Sequence, residues 1–336
     1  MKKLGGFAPV SIERKITVGT RSYESPATGL VASSTTILIN RTMLTAIVAA
    51  VLFISPTNAG EPKSLDIPLW AEGAPGANGK EFKDIPLAMV RLPASDSPTG
   101  ALVICPGGGY GGLAMGHEGN EMAEWADQMG LAAIICDYRH RGKGYGHPAP
   151  LQDAQRTIRT VRARATEWNI DATRVGILGF SAGGHLASTV LTRFDAGDSQ
   201  NADAIERQSS RPDYGILAYP VILFGQPATH KGSERNLLGT SPDPKLLESF
   251  QSDLNVTKET PPTFLFHTLE DKAVPPQNSV AFFAAMIRHG VPGELHVFEK
   301  GAHGLGLAKK TPGTSEWPNA CRRWLEAKQF VTVPAK

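Results

Sequence analysis

The sequence predicts an α/β fold, with a mostly parallel central sheet and helices on both faces. Two observations carry that prediction. Short runs that are apolar at every position recur along the chain, and such runs suit strands buried on both sides. Between them lie segments whose apolar residues fall three and four apart, the spacing of a helix with one buried stripe. Their alternation implies βα crossovers. The 336 residues are 41% hydrophobic and 20% charged, which excludes a disordered chain. At this size roughly three quarters of the unfolded surface can be buried.

The first sixty residues stand apart. Met43 to Ile54 reads MLTAIVAAVLFI, an apolar run broken by Thr45, and Ser55-Pro-Thr-Asn-Ala59 follows it with a small residue suited to cleavage. The run is too short to span a bilayer, which needs about twenty residues. It matches the h-region of a signal peptide. Residues 1–59 are therefore expected to be a leader, anomalously long before its h-region at 43–54, with translation expected to begin near residues 38–43. The expectation is an exported protein, periplasmic or secreted, with no stable membrane span after processing.

Residues 60–336 are expected to form one α/β domain. Ile67–Trp70 and Met89–Leu92 read as an antiparallel lead-in. The buried runs are Ala101–Cys105, Ala132–Cys136, Val175–Leu178, Tyr214–Ala218, Thr263–Phe266 and Leu295–Phe298. Helical stripes are expected at Met122, Trp125, Ala126 and Met129, at Ala154, Ile158, Val161, Ala165 and Trp168, and at Val280, Phe283, Ala284 and Ile287. Val221–Pro262 is rich in Gly, Pro, Lys, Asp and Ser. It reads as an excursion over the sheet edge, with short helical pieces near Glu234–Leu238 and Lys245–Phe250.

Charge and cysteine content exclude several function classes. Thirty-four basic side chains against 32 acidic leave a net charge of +2, without the basic field that nucleic-acid binding uses. Cys105, Cys136 and Cys321 form no CxxC pair, so no zinc or redox site is expected. Cys105 and Cys136 end runs that could be neighbouring strands. A bond between them is conceivable, but buried free thiols are the default.

Gly179-Phe-Ser-Ala-Gly183 is a GxSxG directly after the buried run VGIL and directly before a helical segment. A sharp strand-to-helix turn projects the serine hydroxyl above the sheet, and the flanking positions must be glycine where chain crosses chain. Ser181 is thus the candidate nucleophile. It needs a histidine base oriented by a carboxylate, in the chain order Ser, acid, His. That order leaves His289, His296 and His303. His289 sits beside Gly290 at a helix end, and His296 lies inside a strand run. His303 stands in a Gly-flanked loop after the last buried strand, where such folds place chemistry. His303 is the expected base. His185 fails the order and reads as a packed helix residue. Glu270 and Asp271 both follow TFLF; Asp271 is preferred, because the turn then feeds the next helix.

Cys105-Pro-Gly-Gly-Gly-Tyr-Gly-Gly112 follows another buried strand. It has neither the Lys-Ser/Thr of a P-loop nor the spacing of a dinucleotide fingerprint. It suits an oxyanion hole, with backbone donors from Gly108, Gly109 and Tyr110 beside that of Ala182.

These residues resemble the acetylxylan-esterase-like group of the α/β-hydrolases. The resemblance rests on the Pro-Gly-Gly-Gly-Tyr loop, Gly116-His-Glu-Gly119, Tyr138-Arg139, Asp153-Ala-Gln-Arg156, Gly179-Phe-Ser-Ala-Gly-Gly-His-Leu-Ala187, Tyr219-Pro220, Thr260-Pro-Pro262 and Gly301-Ala-His-Gly304. It spans roughly Ile67 to Trp324. Cys105-Pro106 stands where many relatives carry a histidine before the glycines, which leaves the backbone donors unaffected. The resemblance implies an α/β-hydrolase fold and a serine esterase that removes short acyl groups, such as acetyl, from a carbohydrate such as xylan. Neither a cofactor nor a metal is expected, and the expected partner is a small-molecule or polysaccharide ester. An amidase or arylformamidase, a general short-chain carboxylesterase and a non-catalytic binding module are the alternatives. The polar excursion agrees with a soluble substrate, since an enzyme working at an oil surface presents an apolar face.

Overall fold

The computed structural model describes residues 62–331, so the expected leader and h-region lie outside the described residues. Eight strands form one sheet: β1 (Lys63–Pro68), β2 (Leu87–Leu92), β3 (Thr99–Cys105), β4 (Ala132–Asp137), β5 (Ile170–Phe180), β6 (Tyr214–Ala218), β7 (Thr263–Thr268) and β8 (Gly293–Phe298). Their spatial order is β1-β2-β4-β3-β5-β6-β7-β8. The first two strands pair antiparallel, with β2 antiparallel on β4, and every later pairing is parallel. All six runs become strands, but two expectations are only partly met. Strand β1 ends at Pro68, so Leu69 and Trp70 lie beyond it, and Leu295–Phe298 falls on the edge strand β8, none of whose residues is buried.

Alternate side chains of each inner strand enter two cores. Val103, Ile134, Ile177, Leu217 and Leu265 face α2 (Ala149–Ala163), α3 (Ser181–Thr192) and α6 (Gln277–Arg288). Leu102, Ile104, Ile135, Leu178, Ile216 and Phe264 face α1 (Glu121–Asp127) and α7 (Trp317–Ala327). Both faces are covered, which is why these strands carry no polar alternation. Helix α1 stops before Met129, and α2 before Ala165 and Trp168, although these three side chains are buried as the stripes require.

Two expectations need correction. On α6 the buried face is Asn278, Ser279, Phe282, Ala285 and Met286, while Val280 and Ile287 are 49% and 66% exposed. Spacing alone admits two apolar faces here. The face turned inward is the one whose polar members find partners. Asn278 Oδ1 accepts from the N–H groups of Ile222 and Leu223, both at 2.9 Å, and Ser279 Oγ lies 2.8 Å from His267 Nδ1. The segment 221–262 is not an edge excursion either. It connects β6 to β7, which are inner neighbours, and carries α4 (Lys231–Leu238) and α5 (Pro244–Ser249). The His230 and Asp243 side chains cap these helices by accepting backbone N–H groups.

Cys105, Cys136 and Cys321 are buried free thiols. Hydrogen bonding with Cys105, and then burial, push the Cys136 thiol well above its usual pKa. Among the described residues, no helix is long and apolar enough to cross a membrane.

Candidate active site

Strand β5 ends at Phe180 and α3 begins at Ser181, with no residue between them. The turn forces Ser181 to φ +53°, a left-handed conformation that a side chain disfavours. The glycines around it are dictated by contact. A Cβ on Gly179 would fall 2.2 Å from the Gly183 carbonyl oxygen, and one on Gly183 would fall 2.1 Å from that of Cys105.

The structure brings together the three side chains singled out by the sequence. His303 Nε2 lies 2.7 Å from Ser181 Oγ, and His303 Nδ1 lies 2.6 Å from Asp271 Oδ2. Asp271 is buried, and its Oδ1 accepts the N–H groups of Ala273 at 3.0 Å and Val274 at 2.9 Å. Burial pushes its carboxyl pKa up, but hydrogen bonds from His267, His303 and Val274 outweigh burial and hold it well below the usual range. Asp271 is therefore an ionised acceptor. That places the imidazole proton on Nδ1 of His303 and leaves Nε2 to accept the serine hydroxyl.

The other candidates are occupied elsewhere. Glu270 pairs with Lys300 at 2.9 Å and accepts the Gly301 N–H at 3.0 Å. His289 is exposed at the end of α6. His296 lies 3.0 Å from Glu294 and stacks on Phe264. His185 is fully buried in α3; its Nδ1 is 2.9 Å from the Tyr110 hydroxyl and its Nε2 2.9 Å from the Phe250 carbonyl. Burial pushes its pKa down to about 4. The neutral ring donates from Nε2 and accepts the Tyr110 O–H at Nδ1, so α3 anchors the glycine-rich loop through that side chain.

The loop after β3 is tied through its carbonyls. Gly107 O accepts Ala114 N–H at 2.9 Å, Gly108 O accepts Gly111 N–H at 2.9 Å, and Tyr110 O accepts Arg141 N–H at 2.8 Å. Gly109 O accepts Asn236 Nδ2 at 2.8 Å. A trans peptide directs its N–H opposite its C=O. Among the described residues, the N–H groups of Gly108, Gly109 and Tyr110 meet no acceptor. The Ala182 N–H, in the first turn of α3, has no acceptor within the helix. These four N–H groups are therefore not taken up by the protein among the described residues.

Sequence reasoning gave no role to Asn236 or His230. Both sit on the β6–β7 crossover, whose polar composition carried no signal for a particular residue. His230 stands beside the glycine loop, since a Cβ on Gly109 would lie 3.7 Å from its Cε1. Burial, and then the nearby His303, lower its pKa. Among the described residues, no cluster of three His, Cys, Asp or Glu side chains could hold a metal ion.

The BD-FAE family model matches residues 89–286. The chain belongs to the BD-FAE family of α/β-hydrolases. The family match spans β2 through most of α6 and includes Ser181 and Asp271. The chain is 34% identical over 219 residues to an acetylxylan esterase of Xylanibacter ruminicola, covering 63% of this chain and 42% of the relative. It is 35% identical over 226 residues to endo-1,4-beta-xylanase B of Butyrivibrio fibrisolvens, covering 67% of this chain and 35% of the relative. The chain thus spans less than half the length of these curated relatives. The crystal structure of an acetyl ester-xyloside bifunctional hydrolase from Caldicellulosiruptor lactoaceticus is similar with a TM-score of 0.77 and 43% identity, over 81% of this chain and 99% of that one.

Proposed function

We propose that this BD-FAE member is a serine carboxylic-ester hydrolase that removes short acyl groups, acetyl above all, from a carbohydrate such as xylan. The observation that carries the reading is the hydrogen-bonded line from Ser181 through His303 to Asp271 at a strand–helix elbow. The acetylxylan esterase and acetyl ester-xyloside hydrolase relatives support the substrate class.

In this mechanism His303 Nε2 takes the Ser181 proton as Oγ attacks the ester carbonyl. Asp271 holds the imidazole in the required tautomer and stabilises the imidazolium. Backbone N–H groups of Ala182 and the 108–110 loop receive the oxyanion. His303 gives that proton to the departing sugar oxygen, which leaves as the alcohol. Water then attacks the acyl carbon with His303 as base, the bond to Ser181 Oγ breaks, the proton returns to Ser181 and the carboxylic acid is released. Ester hydrolysis on these residues needs no further group.

The test is acetate release from acetylated xylan and acetylated monosaccharides, with p-nitrophenyl esters of increasing chain length beside them. Acetate from the glycans and a steep fall with acyl length support the proposal. Turnover of synthetic esters alone would move the natural substrate elsewhere. We also propose that residues 1–59 are an export leader and 60–336 one catalytic domain. An N-terminus of the exported protein that still contains 43–54 would overturn the leader.

A further inference from the structure

Two motifs, Gly116-His-Glu-Gly119 and Tyr219-Pro220, take no part in the steps above, yet they meet beneath the site. Glu118 is 2% exposed. Its Oε2 accepts the Gly107 N–H at 2.8 Å, at the root of the glycine-rich loop. Its Oε1 accepts the Tyr219 O–H at 2.8 Å. The Tyr219 hydroxyl oxygen in turn accepts the Gly306 N–H at 2.8 Å, in the loop that carries His303. One continuous line therefore joins the loop of oxyanion donors to the loop of the base.

Several features mark this line as more than packing. A buried carboxyl is costly unless each oxygen is used, and both oxygens of Glu118 are used here. Tyr219 is held at φ +37°, a conformation that a bulky residue adopts only when its surroundings impose it. Its ring stands edge-on to the imidazole of His303, with centroids 5.1 Å apart. Gly107 has no room for a side chain. A Cβ there would meet Glu118 Oε2 at 2.6 Å and Ser181 Cβ at 2.9 Å.

We propose that Glu118 and Tyr219 are positioning residues: a buried clamp that sets the spacing between the oxyanion loop and His303. The proposal rests on the serine-esterase reading. Small misplacements of such groups cost rate rather than affinity. Glu118→Gln keeps an oxygen for the Gly107 N–H but places an N–H donor against the Tyr219 hydroxyl, so the Tyr219 O–H loses its acceptor and the contact must reverse. Tyr219→Phe frees Gly306 and leaves the rest of the side chain in place.

The experiment measures p-nitrophenyl acetate turnover per active serine, titrated with a fluorophosphonate, in the full chain, with Tm recorded for each variant. Each substitution is expected to lower kcat about 10²-fold with KM changed by less than about threefold. The double variant should be scarcely worse than the poorer single one, because a clamp broken at one point is already open. If Glu118→Gln fails to fold, Tyr219→Phe decides alone. A kcat per active serine within about threefold of wild type, or a rise in KM at constant kcat, overturns the clamp. Turnover that needs Ser181 but ignores both substitutions sinks the clamp alone. Turnover that survives Ser181→Ala sinks the esterase reading and the clamp with it.

Discussion

Glu270 and Asp271, adjacent in sequence, hold the same loop from two sides. Asp271 takes the imidazole of His303, and Glu270 takes the backbone N–H of Gly301 and the ammonium of Lys300. One carboxylate is buried and the other open to solvent. The buried one fixes the tautomer and the exposed one fixes the backbone, so the two should separate cleanly on substitution. Asp271→Asn is expected to lower kcat about 10⁴-fold. Glu270→Gln should lower it by no more than about tenfold, since an exposed, solvent-screened contact contributes little. Steady-state kinetics on p-nitrophenyl acetate distinguish them. Equal losses would mean that Asp271 has no special role.

Removing the nucleophile gives the largest effect. Ser181→Ala is expected to lower turnover by four to six orders of magnitude, about 10⁴ to 10⁶, with folding intact. Retention of more than about a percent of wild-type rate on purified protein would exclude Ser181 as nucleophile.

His185 makes stability depend on pH. Its ordinary pKa near 6.5 is pushed down to about 4 by burial. Below pH 6.5 the unfolded chain takes up a proton that the folded chain refuses. The stability is therefore fully present above about pH 6.5 and is lost progressively as pH falls to about 4, by about 3 kcal/mol. Urea unfolding at stepped pH should show this fall, and His185→Gln should flatten it. An unchanged slope in the variant would assign the pH dependence to other groups.

Arg139 and Asp153, quoted among the resembling motifs, form a fully buried pair at 2.7 Å. Burial pushes the Asp153 carboxyl up to about 6 despite Arg139. Arg139→Met removes the partner and leaves a buried acid, at an expected cost of about 3–5 kcal/mol in chemical unfolding. Adding Asp153→Leu should recover part of that loss. A cost below about 1 kcal/mol for the single variant would show the pair to be dispensable.

Asn236 reaches across from the crossover to the Gly109 carbonyl at 2.8 Å. Asn236→Ala should release that peptide and lower kcat about tenfold, with a smaller effect on KM. The same kcat with a raised KM would make Asn236 a substrate contact instead.

The inner parallel strands were legible because both of their faces are buried, so their apolar runs are unbroken. The edge run Leu295–Phe298 is mostly apolar without being buried. Ser181 and His303 were legible because a strand-to-helix turn and a post-strand loop leave glycine signatures on either side. Asp271 was separated from Glu270 only by the helix that follows, and the geometry agrees with that preference. The face of α6 was not legible. Phe282, Ala285 and Met286 share their spacing with the expected stripe, and hydrogen bonds of Asn278 and Ser279 chose between them. Asn236, His230 and the roles of Glu118 and Tyr219 were hidden for a related reason. Asn236 meets Gly109 127 positions away and Tyr219 meets Glu118 101 positions away, and no local pattern records partners so distant.

The crossover between β6 and β7 has two separable ends. Its α4 part reaches the glycine loop through Asn236, while the turn at Thr240 and Ser241 is exposed. Exposed polar turns tolerate changes of length far better than anchored segments do. This gives engineering a point of entry: loops of new sequence can be spliced in at 240–241 while the Asn236 contact to the glycine loop stays as it is.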